Sequence, residues 1–191
     1  TEKNKPLPLS LYAVTKVNAE KYLSNKDALI FRLGTAFGLS DVFSRPRLDL
    51  LVNTLTGNAV SRGKITVFGG SQWRPNIHVK DIADIIVDGL TSSYEGIYNA
   101  ATQNFTVNEI AQKVVALTGC KLQQAGQLQE DKRNYKVSFA KALSAGILRA
   151  PTERNIEYGI KEFVELIKNG RVKDVKNSAY SNAKHLSHYS V

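Results

Sequence analysis

The chain has no methionine, one cysteine and one tryptophan among its 191 residues. A lone cysteine, Cys120, excludes an internal disulfide framework, and no spaced Cys/His set offers a zinc site. No apolar run approaches the ~20 residues needed to span a bilayer. Residues 1–8 (TEKNKPLP) are too polar for a signal peptide. These absences predict a cytoplasmic protein with neither a metal nor a membrane partner. The missing methionine also fits a piece of a longer chain.

What is present suits a packed domain. Hydrophobic residues make up 42% and charged residues 23%, a balance that supports a core and argues against disorder. The formal net charge is +9. The lysines and arginines are dispersed, with no long like-charge block and little aromatic interleaving. That pattern predicts no nucleic-acid partner; it reads first as ordinary solvated surface and second as a field suited to anionic ligands such as diphosphates.

Hydrophobic periodicity alternates between short strands and helices, which reads as α/β. A helix is expected over Ser10–Leu23, with Leu11, Val14, Ala19 and Leu23 facing inward. Ala28–Leu33 (ALIFRL) reads as a buried parallel strand ending at Gly34. After the basic loop FSRPR, a helix is expected near Leu48–Ala59. Ile65–Phe68 is a strand closed by Gly69-Gly70, and Ile77–Val79 leads into a helix over Lys80–Leu90. Ile97–Ala100 is a strand, and Thr106-Val-Asn-Glu109 is a capping box that opens a helix ended by Gly119. Lys121–Gln124 is a further strand. Ile156, Ile160, Phe163, Val164 and Ile167 mark one helical face, punctuated by Gly170. The last twenty residues are polar and aperiodic, a tail that docks or stays mobile.

Tyr12 and Lys16 lie four apart on the first helix and share one face. A tyrosine phenol ordinarily titrates near pH ~10, too high for a base at neutral pH. A nearby ammonium favours the phenolate, and such a pair can take a proton from a hydroxyl while hydride leaves the same carbon. The spacing is weak evidence by itself, because it recurs at Tyr22/Lys26 and Tyr180/Lys184. Those two pairs read as surface residues.

The surroundings of Tyr12 decide among the three pairs. Pro8-Leu-Ser10-Leu-Tyr12-Ala-Val-Thr15-Lys16 resembles the active-site helix of the extended short-chain dehydrogenase/reductases, specifically the NAD-dependent nucleotide-sugar epimerases and dehydratases of the UDP-glucose 4-epimerase type. Phe31-Arg32-Leu33-Gly34-Thr35-Ala36-Phe37-Gly38 is similar to the strand and loop that follow that helix. Ile65-Thr66-Val67-Phe68-Gly69 is similar to the strand beside the bound nucleotide. Trp73-Arg74-Pro75-Asn76-Ile77-His78-Val79-Lys80-Asp81-Ile82-Ala83 matches the family's Arg-x-x-(Ile/Phe)-His-Val-x-Asp-hydrophobic-Ala signature. Gly96-Ile97-Tyr98-Asn99-Ala100, followed by Phe105-Thr106-Val107, matches a later strand and helix entry. These blocks run in the family's order over residues 6–140.

The resemblance implies the C-terminal part of a Rossmann-type α/β fold. Residues 1–38 would be a remnant of the dinucleotide-binding domain and 39–170 mainly the substrate-binding lobe, with one or more elements returning to the sheet. Residues 171–191 would be a polar tail. It implies catalytic roles for Tyr12 and Lys16, the lysine also holding the cofactor ribose, and it places Leu33 and Gly34 beside the nicotinamide. Its implied substrate ligands are Thr35, Leu50, Thr66, Val67, Phe68, Arg74 and Arg133. Arg74 offers a planar fork to phosphate oxygens, and Arg133 supplies a second contact from the Asp131–Tyr135 region. Asp49 sits awkwardly in that scheme, since a carboxylate repels a diphosphate unless it faces elsewhere; a helix-start role is at least as good a reading. His78 reads as a satisfied core histidine.

The implied cofactor is NAD, and the implied ligand is a nucleotide-diphosphate sugar. The implied reaction is reversible oxidation at C4 of the hexose, as in a 4-epimerase. A 4,6-dehydratase, or a related decarboxylase or reductase, is the alternative; a non-catalytic sugar-nucleotide-binding or interaction module is the alternative of another class. The family's glycine-rich NAD loop and its catalytic Ser/Thr are absent from these residues. The chain alone is therefore expected to be inactive and not to bind NAD. The same absence leaves strand Ala28–Leu33 with an open edge, which predicts a homodimer or association with an N-terminal portion.

Overall fold

The computed structural model describes residues 1–41, 43–126, 133–149 and 152–187. Helix α1 (Leu11–Leu23) begins at Ser10, whose hydroxyl oxygen accepts from the Ala13 N–H at 3.2 Å. The helix forms where its cap predicts, but it buries none of its residues. Leu11, Val14, Ala19 and Leu23 do not face inward; Leu11 is 81% exposed. Val14 and Leu23 are each 37% exposed, and Leu23 lines a shallow cavity with Ile30 and Ile97. A side-chain tie to the body is Glu20, which takes two hydrogen bonds from Arg32 at 2.6 and 2.8 Å.

Strand β1 (Leu29–Leu33) carries that arginine and runs parallel to β5 (Gly96–Ala100). After Gly34 the chain continues extended as β2 (Thr35–Phe37) but changes partner, running parallel to β4 (Trp73–His78). The other edge of β4 is antiparallel to β6 (Gln103–Thr106). A separate parallel pair joins β3 (Lys64–Phe68) to β7 (Lys121–Ala125).

The main core lies where helices α2 (Leu51–Arg62), α4 (Val107–Thr118) and α6 (Ile156–Lys168) meet β3 and β2. Phe37, Val52, Ile65, Ile110, Ile156 and Ile160 are buried there. Each such side chain contributes roughly 1.5–3 kcal/mol relative to exposure. Helix α4 is delimited as its sequence predicts. Thr106 and Glu109 form the reciprocal capping box, and Gly119 closes the helix at φ 70°. Helix α2 starts three residues later than its hydrophobic pattern predicts. Leu50 is extended at the N-cap, and the Asp49 carboxylate is engaged elsewhere.

A second cluster packs helix α3 (Val79–Leu90) and the short α5 (Ala140–Ser144) against β4 and β5 through Ile77, Ile85, Tyr98 and Ala142. A third holds the C-terminal segment, where Leu48, Phe163, Leu166 and Val172 are buried together. Described tail residues therefore dock. They include a 3-10 turn (Ser178–Tyr180) and helix α7 (Asn182–Ser187). Tyr180 packs against this third cluster, and its carbonyl accepts from the Leu48 N–H at 2.8 Å, so it is more than a surface residue. Tyr22, 71% exposed, is one.

Candidate functional site

The carboxyl end of β3, the start of β4 and the start of α2 enclose a cavity of about 330 Å³. Its size falls within the range of small-ligand sites. All seven residues expected to bind substrate line it: Thr35 from β2, Leu50 before α2, Thr66, Val67 and Phe68 from β3, Arg74 from β4, and Arg133. Six further described residues line it. Leu51, Leu55 and Val107 supply apolar surface, and Asp49, Gln72 and Tyr135 supply polar groups. Leu51 and Leu55 are one helical turn apart on α2, a spacing that carries the signal. Tyr135 falls within the segment already expected near the site.

Local geometry holds these groups in place. Gly70 turns at φ 105°, and a Cβ there would lie 2.1 Å from Asn108 Oδ1, so only glycine lets α4 approach. Gln72 locks the same turn. Its Oε1 accepts from Gly70 N–H at 2.6 Å, and its amide donates to the Phe68 carbonyl at 3.1 Å. Phe68 therefore stands 39% exposed at the rim.

Arg74 is 6% exposed, and its Nη1 donates to the carbonyls of Trp73 and Arg133. One arginine thus organises the segment that delivers the other. That segment is fastened further along. Asn134 Oδ1 accepts from Trp73 N–H at 2.9 Å, and the Asn104 amide exchanges two hydrogen bonds with the backbone of Val137. The remainder of the expected Asp131–Tyr135 contact region, residues 131 and 132, lies outside the described residues.

His78 is fully buried. Its Nδ1 accepts from the Lys80 N–H at 3.2 Å, which leaves Nε2–H to donate to Glu162 Oε2 at 2.8 Å. Glu162 also accepts from Lys80 Nζ at 2.9 Å and from Leu39 N–H at 3.0 Å. Burial opposes ionisation of Glu162, but the bonds from His78, Lys80 and Leu39 outweigh it and lower its pKa from 4.5 to about 2. Phe37 and Tyr158 meet the imidazole edge-on at 5.2 and 5.5 Å. Gly38, at φ 83°, leaves room for the ring; a Cβ there would lie 1.9 Å from Nε2. The histidine is satisfied on every side and pins α6 to the end of β4.

The other expected residues do not line the cavity. Tyr12 is 71% exposed on α1, with Lys16 Nζ 5.4 Å from its ring centroid. Leu33 is 48% exposed at the carboxyl end of β1, and Gly34 N–H donates to Ala100 O at 2.8 Å.

Residues 1–101 match the family model described as the NAD dependent epimerase/dehydratase family. The chain belongs to that family. Among solved structures it is similar to an NAD-dependent NDP-hexosamine 5,6-dehydratase of tunicamycin biosynthesis, with 22% identity and a TM-score of 0.75 over 91% of this chain and 59% of that one. It is similar to dTDP-glucose 4,6-dehydratase from Bacillus anthracis in complex with NAD, with 20% identity and a TM-score of 0.73 over 92% and 58%. It is also similar to UDP-glucose 4-epimerase from Thermus thermophilus in complex with NAD, with 22% identity and a TM-score of 0.67 over 83% and 55%. The fold is that of the extended short-chain dehydrogenase/reductases, and the chain spans 55–59% of the length of these structures. Among the described residues no helix is long and apolar enough to cross a membrane, and no cluster of His, Cys, Asp or Glu is arranged to hold a metal ion.

Proposed function

We propose that this chain carries the acid/base tyrosine and the nucleotide-sugar cavity of an NAD-dependent NDP-hexose 4-epimerase. The observation that carries the reading is the convergence of seven residues, drawn from five stretches of sequence, on one cavity. Its wall divides by chemistry. Leu51, Leu55, Val107 and Phe68 give a base and ribose an apolar and aromatic surface, while Arg74 and Arg133 bring cations for a diphosphate. Residues 1–38 form the cofactor-side piece in this reading, and residues from 39 onward form mainly the substrate lobe.

The residues present fit the nicotinamide half of NAD. Tyr12 and Lys16 offer a hydroxyl and an ammonium on one exposed face, and the carboxyl end of β1 presents Leu33 and Gly34. When bound, NAD supplies the acceptor and donor for the C4 hydride. Tyr12 takes the C4 hydroxyl proton during oxidation and returns it during reduction, with Lys16 positioned beside the phenol. Arg74 and Arg133 hold the diphosphate while the keto sugar turns its other face. The 191 residues taken alone bind the nucleotide sugar without turnover. The exposed side of α1, with Leu7, Leu9 and Leu11, is the surface for a second copy or for the rest of the whole protein.

A second reading, a 4,6-dehydratase or a related decarboxylase or reductase, draws support from the two dehydratases among the similar structures. Product analysis decides between them. The whole protein, incubated with NAD and UDP-, dTDP- or GDP-glucose, is expected to yield the C4 epimer. A 4-keto-6-deoxy sugar would replace the epimerase with the dehydratase. Failure of the cavity to bind any of the three would contradict both.

A further inference from the structure

Asp49 brings a carboxylate to the wall of a cavity assigned above to a diphosphate, where an uncompensated negative charge opposes binding. Its surroundings resolve the conflict. Arg47 Nε donates to Oδ1 at 2.6 Å and Arg47 Nη2 donates to Oδ2 at 3.1 Å, the two-pronged geometry of a strong pair. The N–H of Asn182 donates to Oδ2 at 2.8 Å.

Both partners are themselves held. The Arg47 carbonyl accepts from Asn53 Nδ2 at 2.9 Å, and the other end of that fully buried amide accepts from Gly38 N–H at 3.1 Å. On the opposite side, Arg45 donates to Asn182 Oδ1 and to the Ala179 carbonyl, while Leu48 N–H donates to the Tyr180 carbonyl. The cavity wall is therefore gripped by a segment 133 residues away in sequence.

We propose that the Arg47–Asp49 pair, closed by the Asn182 N–H, controls the charge that Asp49 brings to the cavity wall. It offsets the carboxylate, so that this part of the wall does not repel the doubly charged pyrophosphate diester of a nucleotide sugar. The inference rests on the nucleotide-sugar reading of the cavity. Arg47 and Asn182 are positioning residues; Asp49 is the group at the wall.

The sign of each substitution follows. Asp49→Asn removes the negative charge and leaves the Arg47 cation uncompensated, so an anionic ligand binds more tightly. Arg47→Ala leaves the carboxylate uncompensated, so the ligand binds more weakly. The double variant returns to the starting charge. The pair's side chains are 35% and 23% exposed, so solvent screens the effect to about three- to tenfold in Kd. A purely structural pair predicts weakening in all three variants.

The test is calorimetric titration of the 191-residue chain with UDP-, dTDP- and GDP-glucose, followed by titration of the three variants with the tightest of these. A melting curve for each variant checks folding. Expected results are tightening in Asp49→Asn, weakening in Arg47→Ala and a Kd within about twofold of the parent in the double variant, with all differences shrinking at high salt. Should Arg47→Ala not fold, Asp49→Asn decides by itself, because only the charge account predicts a gain. Weaker binding by folded Asp49→Asn overturns the inference and leaves the cavity reading intact. Absence of binding by the parent chain overturns both.

Discussion

Helix α1 buries none of its residues, whereas α6 buries Ile156, Gly159, Ile160, Phe163 and Leu166, although the two helices are equally long. The first presents the Tyr12/Lys16 face; the second braces the scaffold around the cavity through Glu162 and the central core. The cavity half of the proposed site is thus rigidly supplied by this chain. The tyrosine half has a sound local design, with a good cap and a consistent face, but none of its helix residues is buried. Secondary structure needs only neighbours along the chain, and packing needs a partner. The contrast separates the two requirements within one molecule.

The largest expected effect that would break the contrast is on α6. Phe163 is fully buried, so Phe163→Ala should lower unfolding free energy by about 3–5 kcal/mol in urea denaturation. A loss as small as that of a surface change would show that α6 does not brace the fold.

A smaller effect concerns the brace to β2 and β4. The pKa of Glu162 is lowered from 4.5 to about 2 in the folded chain. Its stabilising contribution is therefore complete above the unfolded value near 4.5 and is lost as pH falls from there toward 2. Integrated over that shift the loss is about 3 kcal/mol. Denaturation midpoints between pH 6 and 2 should fall steeply in the parent and flatten in Glu162→Gln. Equal slopes would remove Glu162 from the brace.

The smallest effect is on α1. Leu11→Ala should change the unfolding free energy by less than about 0.5 kcal/mol, since the side chain is 81% exposed. A larger loss in the 191-residue chain would mean that α1 is packed after all.

Legibility in the sequence followed the same division. Helix α4 could be read because Thr106, Glu109 and Gly119 are local signals. Strand β1 could be read because four apolar residues flank Arg32, but it is not the buried strand expected: none of its residues is buried, since only β5 pairs with it among the described residues. Strands β2 and β6 could not, since three residues in one case and a polar Gln103–Thr106 stretch in the other become strands only through pairing with β4. The inward face expected of α1 rested on periodicity, which specifies a face but not what covers it. For the cavity, resemblance located seven lining residues by number. It missed that Arg74 also grips the Arg133 carbonyl. It also offered Asp49 a helix-start role, whereas the carboxylate is held by Arg47 and by the Asn182 N–H; no local pattern announces a contact at that separation.

The measurement that tests the central claim most directly is hydrogen exchange of the 191-residue chain with and without the tightest-binding NDP-glucose. The account predicts slowed exchange at the start of α2, along β3 and at Trp73-Arg74, with α1 unchanged. Exchange unaltered at those segments under saturating ligand, or protection confined to α1, would contradict it.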